Sequence, residues 1–179
     1  MIDRLLGYWI EIGIALLFAT AGIQKLRDLR RFAEVLAAYR VLPPALARPL
    51  AGLIPCLELA TAVMLVGAAR AHRVTLPAMA LLILYALGLG INLARGRRDL
   101  DCGCTWAKDR PIAAWMVWRN LILAALLAIT WLPWSSRGLS GADLMVLAGG
   151  LTVMAILYAA IDRLLGEVMP RTLALRRLA

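Results

Sequence analysis

The sequence is poor in the residues on which most hydrolases and metalloproteins depend. It has a single histidine, His72, and three cysteines among 179 residues. It contains no Gly-rich phosphate loop and no H-E-x-x-H motif, and no candidate nucleophile stands beside His72. Three cysteines are also too few for a disulfide-stabilised scaffold. These absences argue against hydrolases, nucleotide-dependent enzymes and small disulfide-rich domains.

Acidic residues are scarce relative to basic ones. The chain carries 20 Lys and Arg against 11 Asp and Glu, which gives a net charge of +9 and a pI near 10.5. The basic residues lie between apolar runs and not on one soluble domain. This distribution argues against nucleic-acid binding and favours contact with anionic lipid headgroups.

Apolar residues, by contrast, are abundant. They make up 63% of the chain, with a mean hydropathy of +0.79, against about 45–50% in soluble domains. Lipid offers no partners to free backbone groups, so spanning segments of this kind form helices. The sequence therefore predicts an all-α, polytopic membrane helix bundle forming one domain over residues 1–179. Its five spans are expected near 5–23, 51–69, 75–94, 111–132 and 144–161.

The connector between the first two spans has an amphipathic pattern. Its apolar positions recur at helical spacing, at Leu29, Phe32, Val35, Leu36 and Tyr39, with charged residues between them. This pattern predicts a helix lying in the membrane interface, ended by two prolines at 43 and 44. A solvated connector is the alternative.

Several polar residues fall at one face of the predicted bundle, because successive connectors alternate between faces. They are Gln24, Lys25, Cys56, Glu58, Asn92, Arg119 and Asn120. Ionisable residues within a membrane are candidates for function. Glu58 and Arg119 are opposite in charge and similar in depth, so we expect them to pair or to share a polar network. Such a pair would serve either a functional site or helix packing alone.

The third connector, which ends at this same face, holds the sequence Cys102-Gly103-Cys104. The glycine gives the backbone freedom to close a strained disulfide, and strained, exposed disulfides are those that exchange. Two inert thiols are the alternative. We expect no metal site, because zinc needs about four ligands and His72 lies at the opposite face. Cys56 is either a resolving thiol or a buried apolar residue.

Six short motifs occur in a recognisable order: FATAGIQKL (18–26), YRVLPPAL (39–46), PCLE (55–58), NLARG (92–96), CGC (102–104) and WRN (118–120). Together they resemble the methylamine-utilisation MauE family, within the DoxX-like membrane proteins, over roughly residues 5–135. The resemblance implies a bacterial inner-membrane protein that supports maturation of a disulfide-rich client such as methylamine dehydrogenase. A thioredoxin-like, MauD-type protein would be its partner.

The same resemblance matches Cys102 and Cys104 to the family's cysteine pair, and Glu58, Asn92, Arg119 and Asn120 to its polar positions. The predicted activity is thiol–disulfide exchange, with a quinone as the candidate redox carrier bound over the polar residues. A non-enzymatic assembly factor and a quinone-linked electron-transfer subunit of the DoxX type are the alternatives.

The orientation of the bundle in the membrane is predicted differently by two signals. The face with the cysteine pair has fifteen Lys and Arg residues in its connectors and tail, and the other face has four. The positive-inside rule would place the cysteine pair in the cytoplasm. The family resemblance implies the periplasm, where disulfides form.

Overall fold

The computed structural model describes residues 3–67, 72–100, 111–133, 138 and 140–176, with side chains for all of these except Arg4, Pro44, His72, Tyr158 and residues 161–176. Over these residues the chain is helical, which confirms the all-α prediction. The helices are α1 (Arg4–Arg27), α2 (Leu29–Ala38), α3 (Pro44–Gly67), α4 (Thr75–Ala94), α5 (Ala114–Ile129) and α6 (Gly141–Arg176), and a 3-10 turn (His72–Val74) precedes α4.

Four helices, α1, α3, α4 and α5, enclose the main apolar core. Its buried side chains include Ile14 and Phe18 of α1, Leu65 of α3, Leu82 of α4 and Leu127 of α5. Within this bundle, α1 packs mainly on α3 and α4 mainly on α5. This pairing determines which polar side chains are able to meet inside the bundle.

The outer faces of the helices are apolar as well. Leu53, Val63, Leu84, Ile122 and Met145 are all more than half exposed, whereas soluble monomers rarely expose large apolar patches. By length and composition, α1, α3 and α4 are able to cross a membrane, and α5 and the apolar part of α6, Gly141–Leu157, are shorter. The molecule is a membrane helix bundle whose outer surface is suited to lipid.

Helix α2 follows α1 after a single residue, Asp28. The Asp28 carboxylate accepts a hydrogen bond from the backbone N–H of Arg31, at 3.1 Å, and so caps the new helix. Phe32 is buried and packs with Ala51 and Ile54 of α3. The amphipathic helix that the sequence predicts between the first two spans is therefore present, with its apolar side against α3.

Three helices have bounds that differ from those of the predicted spans. α3 begins at Pro44 and not near residue 51, because proline is favoured at the first helical position, where the missing N–H has no intrahelical partner. α5 covers only Ala114–Ile129, within the predicted 111–132, and α6 continues to Arg176, well past residue 161. Hydropathy marks the apolar part of a helix and not its polar extensions.

Helix α6 contacts the bundle at a glycine. A Cβ atom placed on Gly150 would lie 1.8 Å from Cζ2 of Trp9, so the Trp9 ring of α1 packs directly on the backbone of α6. Small residues at helix crossings allow such close approach in membrane proteins. Gly150 of α6 thus makes room for an aromatic ring of α1.

Candidate functional site

Three side chains from three helices form a buried polar cluster, which we call the Lys–Glu–Tyr cluster: Lys25 of α1, Glu58 of α3 and Tyr85 of α4. The ammonium of Lys25 forms an ion pair with Oε1 of Glu58. The Tyr85 hydroxyl donates to the same oxygen at 2.7 Å, and Lys25 Nζ lies 3.3 Å from the Tyr85 oxygen. The cluster therefore joins three helices at one carboxylate oxygen.

Local sequence features bring α1 close enough to α3 for this contact. Gly22 lies one helical turn before Lys25, and Pro55 lies one turn before Glu58, so each pair shares a helix face. A Cβ atom on Gly22 would come within 3.1 Å of the Pro55 carbonyl oxygen and 3.0 Å of Leu59 Cγ. Glycine is thus the residue that permits the two helices to approach at this level.

Helix α2 covers the cluster through an aromatic ring. The Lys25 ammonium lies 5.1 Å from the ring centroid of Phe32 and 4.7 Å from that of Tyr85. Cations at such distances are attracted by the negative face of an aromatic ring, and the attraction is stronger away from water. The cluster therefore also holds α2 against the end of the bundle.

The two carboxylate oxygens of Glu58 have different surroundings. The side chains of Lys25 and Glu58 are 2% and 0% exposed, and in such surroundings neither charge would be tolerated without the other. Oε1 of Glu58 accepts from two donors, whereas the buried Oε2 has no hydrogen-bond partner among the described residues. One oxygen of the carboxylate is therefore able to accept a further hydrogen bond or a proton.

Glu58 and Arg119, which were expected to pair or to share a polar network, form no ion pair with each other among the described residues. Arg119 stacks instead on the ring of Trp115, one turn earlier on α5, with its guanidinium carbon 5.5 Å from the ring centroid. Its buried Nε has no hydrogen-bond partner within the described part of the chain. The reason is the helix pairing: α1 packs on α3, while α5 packs on α4. Lys25, and not Arg119, is therefore the cation next to Glu58.

A second polar feature, the Arg97 clamp, links the end of α4 to α2. Arg97 donates from Nη1 to Oδ1 of buried Asn92, at 3.1 Å, and from Nη2 to the carbonyl of Ala38, at 2.8 Å. Nη1 also lies 3.3 Å from the carbonyl oxygen of Tyr39. The last carbonyls of a helix have no intrahelical donors. Arg97 supplies donors to those of α2.

The backbone at the end of α4 places Arg97 for this role. Gly96 has a φ of +73°, and its N–H donates to the carbonyl of Leu93, at 3.0 Å. The N–H of Arg97 donates to the carbonyl of Asn92, also at 3.0 Å. These two bonds form a Schellman motif, in which glycine readily adopts the left-handed conformation. The motif turns the chain so that Arg97 faces α2.

Cys102 and Cys104 lie outside the described residues, but both ends of their connector are described. The N–H of Ile112 donates to the carbonyl of Leu100 at 3.0 Å. Leu100 packs beside Tyr39 of α2 on a cluster that contains Leu89 of α4 and Ile112. The connector thus starts and ends at one point, where α2, α4 and the beginning of α5 meet.

The remaining predicted site residues occupy different surroundings. Gln24 is half-buried beside Lys25, and Asn120 is buried on α5. Cys56 is a free, exposed thiol, on the same face of α3 as the exposed Leu53 and Leu57. This face points away from Glu58, because two residues rotate a helix by about 200°. Cys56 is therefore neither buried nor part of the Lys–Glu–Tyr cluster.

Tyr85 and the role of Arg97 are absent from the sequence-based predictions. Tyr85 carries a polar group in the middle of an uncharged span, away from the interfacial positions where tyrosine usually anchors a helix. That position is a signal which could have revealed it. Arg97 is hidden among the many charges of the third connector, and its partners are backbone carbonyls that no sequence pattern marks.

The fold and the cluster together define a small polytopic membrane protein with a polar site inside its helix bundle. The family model described as methylamine utilisation protein MauE matches residues 3–135. The chain therefore belongs to the MauE family, as its motifs predict.

Curated relatives match nearly the whole chain. The methylamine utilization protein MauE of Paracoccus denitrificans is 37% identical over 163 residues, covering 89% of this chain and 88% of the relative. The MauE proteins of Methylophilus methylotrophus and Methylorubrum extorquens are 31% and 37% identical, covering 92% and 86% of this chain and 88% and 84% of their own lengths. No solved structure matches the chain significantly.

Proposed function

We propose that this protein is a membrane thiol–disulfide redox protein that supports the maturation of a disulfide-containing client. Cys102 and Cys104 form the exchanging pair, and a thioredoxin-like protein is the partner. The proposal is carried by the closed connector: the Leu100–Ile112 hydrogen bond holds both ends of the segment with the cysteines at the end of the bundle. The relatives are named methylamine utilization proteins, and methylamine dehydrogenase is the proposed client, as the family resemblance implies.

The exchange conserves electrons and protons. A thiolate of the partner attacks one sulfur of the Cys102–Cys104 disulfide, forms a mixed disulfide and releases the other cysteine as a thiolate, which takes up a proton. The second thiolate of the partner then attacks the mixed disulfide and releases the first cysteine. Two electrons pass from the partner dithiol to the pair, and a quinone is the proposed acceptor when the pair is oxidised again.

In this proposal the buried polar residues hold together the end of the bundle from which the cysteine connector begins. The Lys–Glu–Tyr cluster fixes α1, α3 and α4 relative to one another and, through Phe32, retains α2. The Arg97 clamp then joins α2 to the start of the connector. In this proposal the cluster positions the pair, and Oε2 of Glu58 would accept a hydrogen bond from a hydroxyl of the reduced quinone. Cys56 as a resolving thiol stays a prediction.

Single serine variants test the exchange directly. In Cys104→Ser the lone Cys102 thiolate attacks the disulfide of the oxidised partner and forms a mixed disulfide with it. This adduct accumulates when the partner's own second cysteine is also replaced by serine, because neither protein can then resolve it. We expect a reductant-sensitive adduct with the co-expressed thioredoxin-like protein on non-reducing gels. The matched variant is Cys56→Ser, which leaves both cysteines of the pair in place. Normal client maturation by this variant would exclude Cys56 as a resolving thiol, and reduced maturation would assign it that role.

The double variant Cys102→Ser/Cys104→Ser separates this proposal from a non-enzymatic assembly factor. Loss of both the adduct and the mature client would support thiol exchange. Normal client maturation by the double variant would contradict it. In that case the bundle would act by docking its partner, and the Arg97 clamp and α2 would be the elements to disrupt.

A further inference from the structure

A groove separates α2 from the beginning of α3, on the side of α2 away from the Lys–Glu–Tyr cluster. Its volume is about 730 Å³, within the roughly 300–1,000 Å³ typical of small-molecule sites. The groove is lined by Leu29, Arg30, Ala33, Glu34, Ala37, Ala47, Arg48, Ala51 and Gly52. None of these residues belongs to the redox machinery proposed above.

The rim of the groove is cationic, and its interior is lined mainly by small apolar residues. Arg30 of α2 and Arg48 of α3 are both exposed, and within the described part of the chain neither guanidinium forms an ion pair. Only one carboxylate, that of Glu34, is among the lining groups, so the rim has a net positive charge. Most of the other lining residues are alanine or glycine, which leave room between the helices.

Along α3, a charged residue comes first and small or apolar residues follow. A lipid monolayer has the same order, with charged headgroups outside the acyl chains. Arg48 lies in the second turn of α3, and Gly52 lies four residues, or about 6 Å, further along the helix. A Cβ atom on Gly52 would meet nothing within 4 Å, so the groove is open at this level. Gly52 is followed by Leu53, which is 52% exposed on the apolar outer surface. The groove therefore continues onto the surface that faces lipid.

We propose that this groove binds an anionic phospholipid. Arg30 and Arg48 bind its phosphate from two helices, since guanidinium groups offer paired donors to phosphate oxygens. One acyl chain lies over Ala33, Ala51 and Gly52. A net negative headgroup is required because the rim carries two guanidiniums and one carboxylate, so a choline headgroup would bring a further cation to a cationic rim.

Lipid titration of the purified full-length protein in detergent tests this proposal. We expect phosphatidylglycerol to raise the melting temperature and to remain bound in native mass spectra, and phosphatidylcholine to do neither. Arg30→Gln/Arg48→Gln should weaken phosphatidylglycerol binding by roughly 10- to 30-fold, because each arginine near an anionic lipid surface contributes about a factor of five. The control Arg73→Gln/Arg98→Gln removes the same charge from two exposed arginines outside the groove and should bind as the parent does.

A second variant tests the acyl-chain part of the groove without touching either arginine. Gly52→Leu places a side chain in open space and favours the helix, so the protein should fold while phosphatidylglycerol binding falls. Three results would overturn the proposal: equal binding of the two lipids, equal losses in both double arginine variants, or the same stabilisation by inorganic phosphate. The last result would identify a soluble anion as the ligand in place of a lipid.

Discussion

Lys25 and Glu58 stabilise the bundle only as a pair, because each alone would leave a buried charge without a counter-charge. The two side chains are almost completely enclosed, and the Tyr85 hydroxyl is the additional donor to their shared oxygen. Removing one partner of a buried pair costs more than removing both. The pair is therefore best studied as a unit.

We predict that Lys25→Met lowers the free energy of unfolding by about 3–5 kcal/mol, since it leaves Glu58 charged and buried. Methionine keeps a flexible chain of similar length, so lost packing contributes little. The double variant Lys25→Met/Glu58→Gln should recover most of the loss, because no charge remains and glutamine still accepts from Tyr85. Unfolding by SDS, followed by circular dichroism, measures both values.

The matched control for this series is Arg98→Gln, which removes one positive charge from an exposed position. It should change the free energy of unfolding by no more than about 0.5 kcal/mol. A double variant as unstable as Lys25→Met alone would contradict the view that the uncompensated charge causes the loss.

At the level of single residues, the sequence indicated Lys25 and Glu58 as unusual polar residues but not their contacts. Glu58 and Lys25 are recognisable because charged residues are rare in apolar spans. Their pairing depends on which helices are neighbours, and hydropathy does not contain that information. Arg119 has the charge to pair with Glu58, but its helix, α5, packs mainly on α4, so the ion pair forms with Lys25.

At the level of elements, α2 is held by contacts at both ends. Asp28 caps its first turn, and the Arg97 clamp donates to its last carbonyls. α2 is therefore joined by hydrogen bonds to the end of α4, from which the cysteine connector begins.

We predict that Arg97→Gln loosens the C-terminal turn of α2. Glutamine is too short to reach the carbonyls of Ala38 and Tyr39, and the loss of about 1 kcal/mol of hydrogen bonding to a charged group should speed amide exchange there roughly 5-fold. Hydrogen–deuterium exchange with mass spectrometry of peptides from α2 measures the change. Arg98→Gln is the neighbouring control, and equal exchange in the two variants would show that Arg97 does not hold α2.

Elements were more predictable than contacts. The spacing of Phe32 and Leu36 identifies α2, because an amphipathic helix repeats its apolar positions every three or four residues. The start of α3 was missed because Pro44, Arg48 and Pro49 make its first turns look like a loop. Proline is compatible with a helix start, and Arg48 is exposed there, so neither prevents the helix from beginning early.

For the whole molecule, the orientation in the membrane decides where the proposed chemistry takes place. Several arginines at the end with the cysteines have structural partners: Arg97 binds α2, and Arg95 donates to the carbonyl of Arg40 at 3.1 Å. Arginines with such contacts stabilise the fold, so their presence at this end does not report topology alone. The count of fifteen basic residues against four therefore overstates the topological signal.

We predict that, in a Cys56→Ser background, an impermeant thiol reagent labels Cys102 and Cys104 in intact cells after mild reduction. The Cys56 replacement removes the exposed thiol of α3, so that all labelling reports the pair. Labelling that occurs only after the membrane is opened would place the pair in the cytoplasm and would contradict a role in periplasmic disulfide formation.

The buried ion pair also bears on how the chain is inserted into the membrane during synthesis. Lys25 precedes Glu58 by 33 residues, so α1 leaves the ribosome before the helix that carries its counter-charge. A lysine near the end of a helix can extend its flexible chain to the lipid headgroups until α3 has inserted. Glu58, in the middle of α3, has a shorter side chain and no such route. The residue made first is therefore the one whose charge can reach the headgroups by itself. We expect α3 to insert beside the lysine that is already in the membrane.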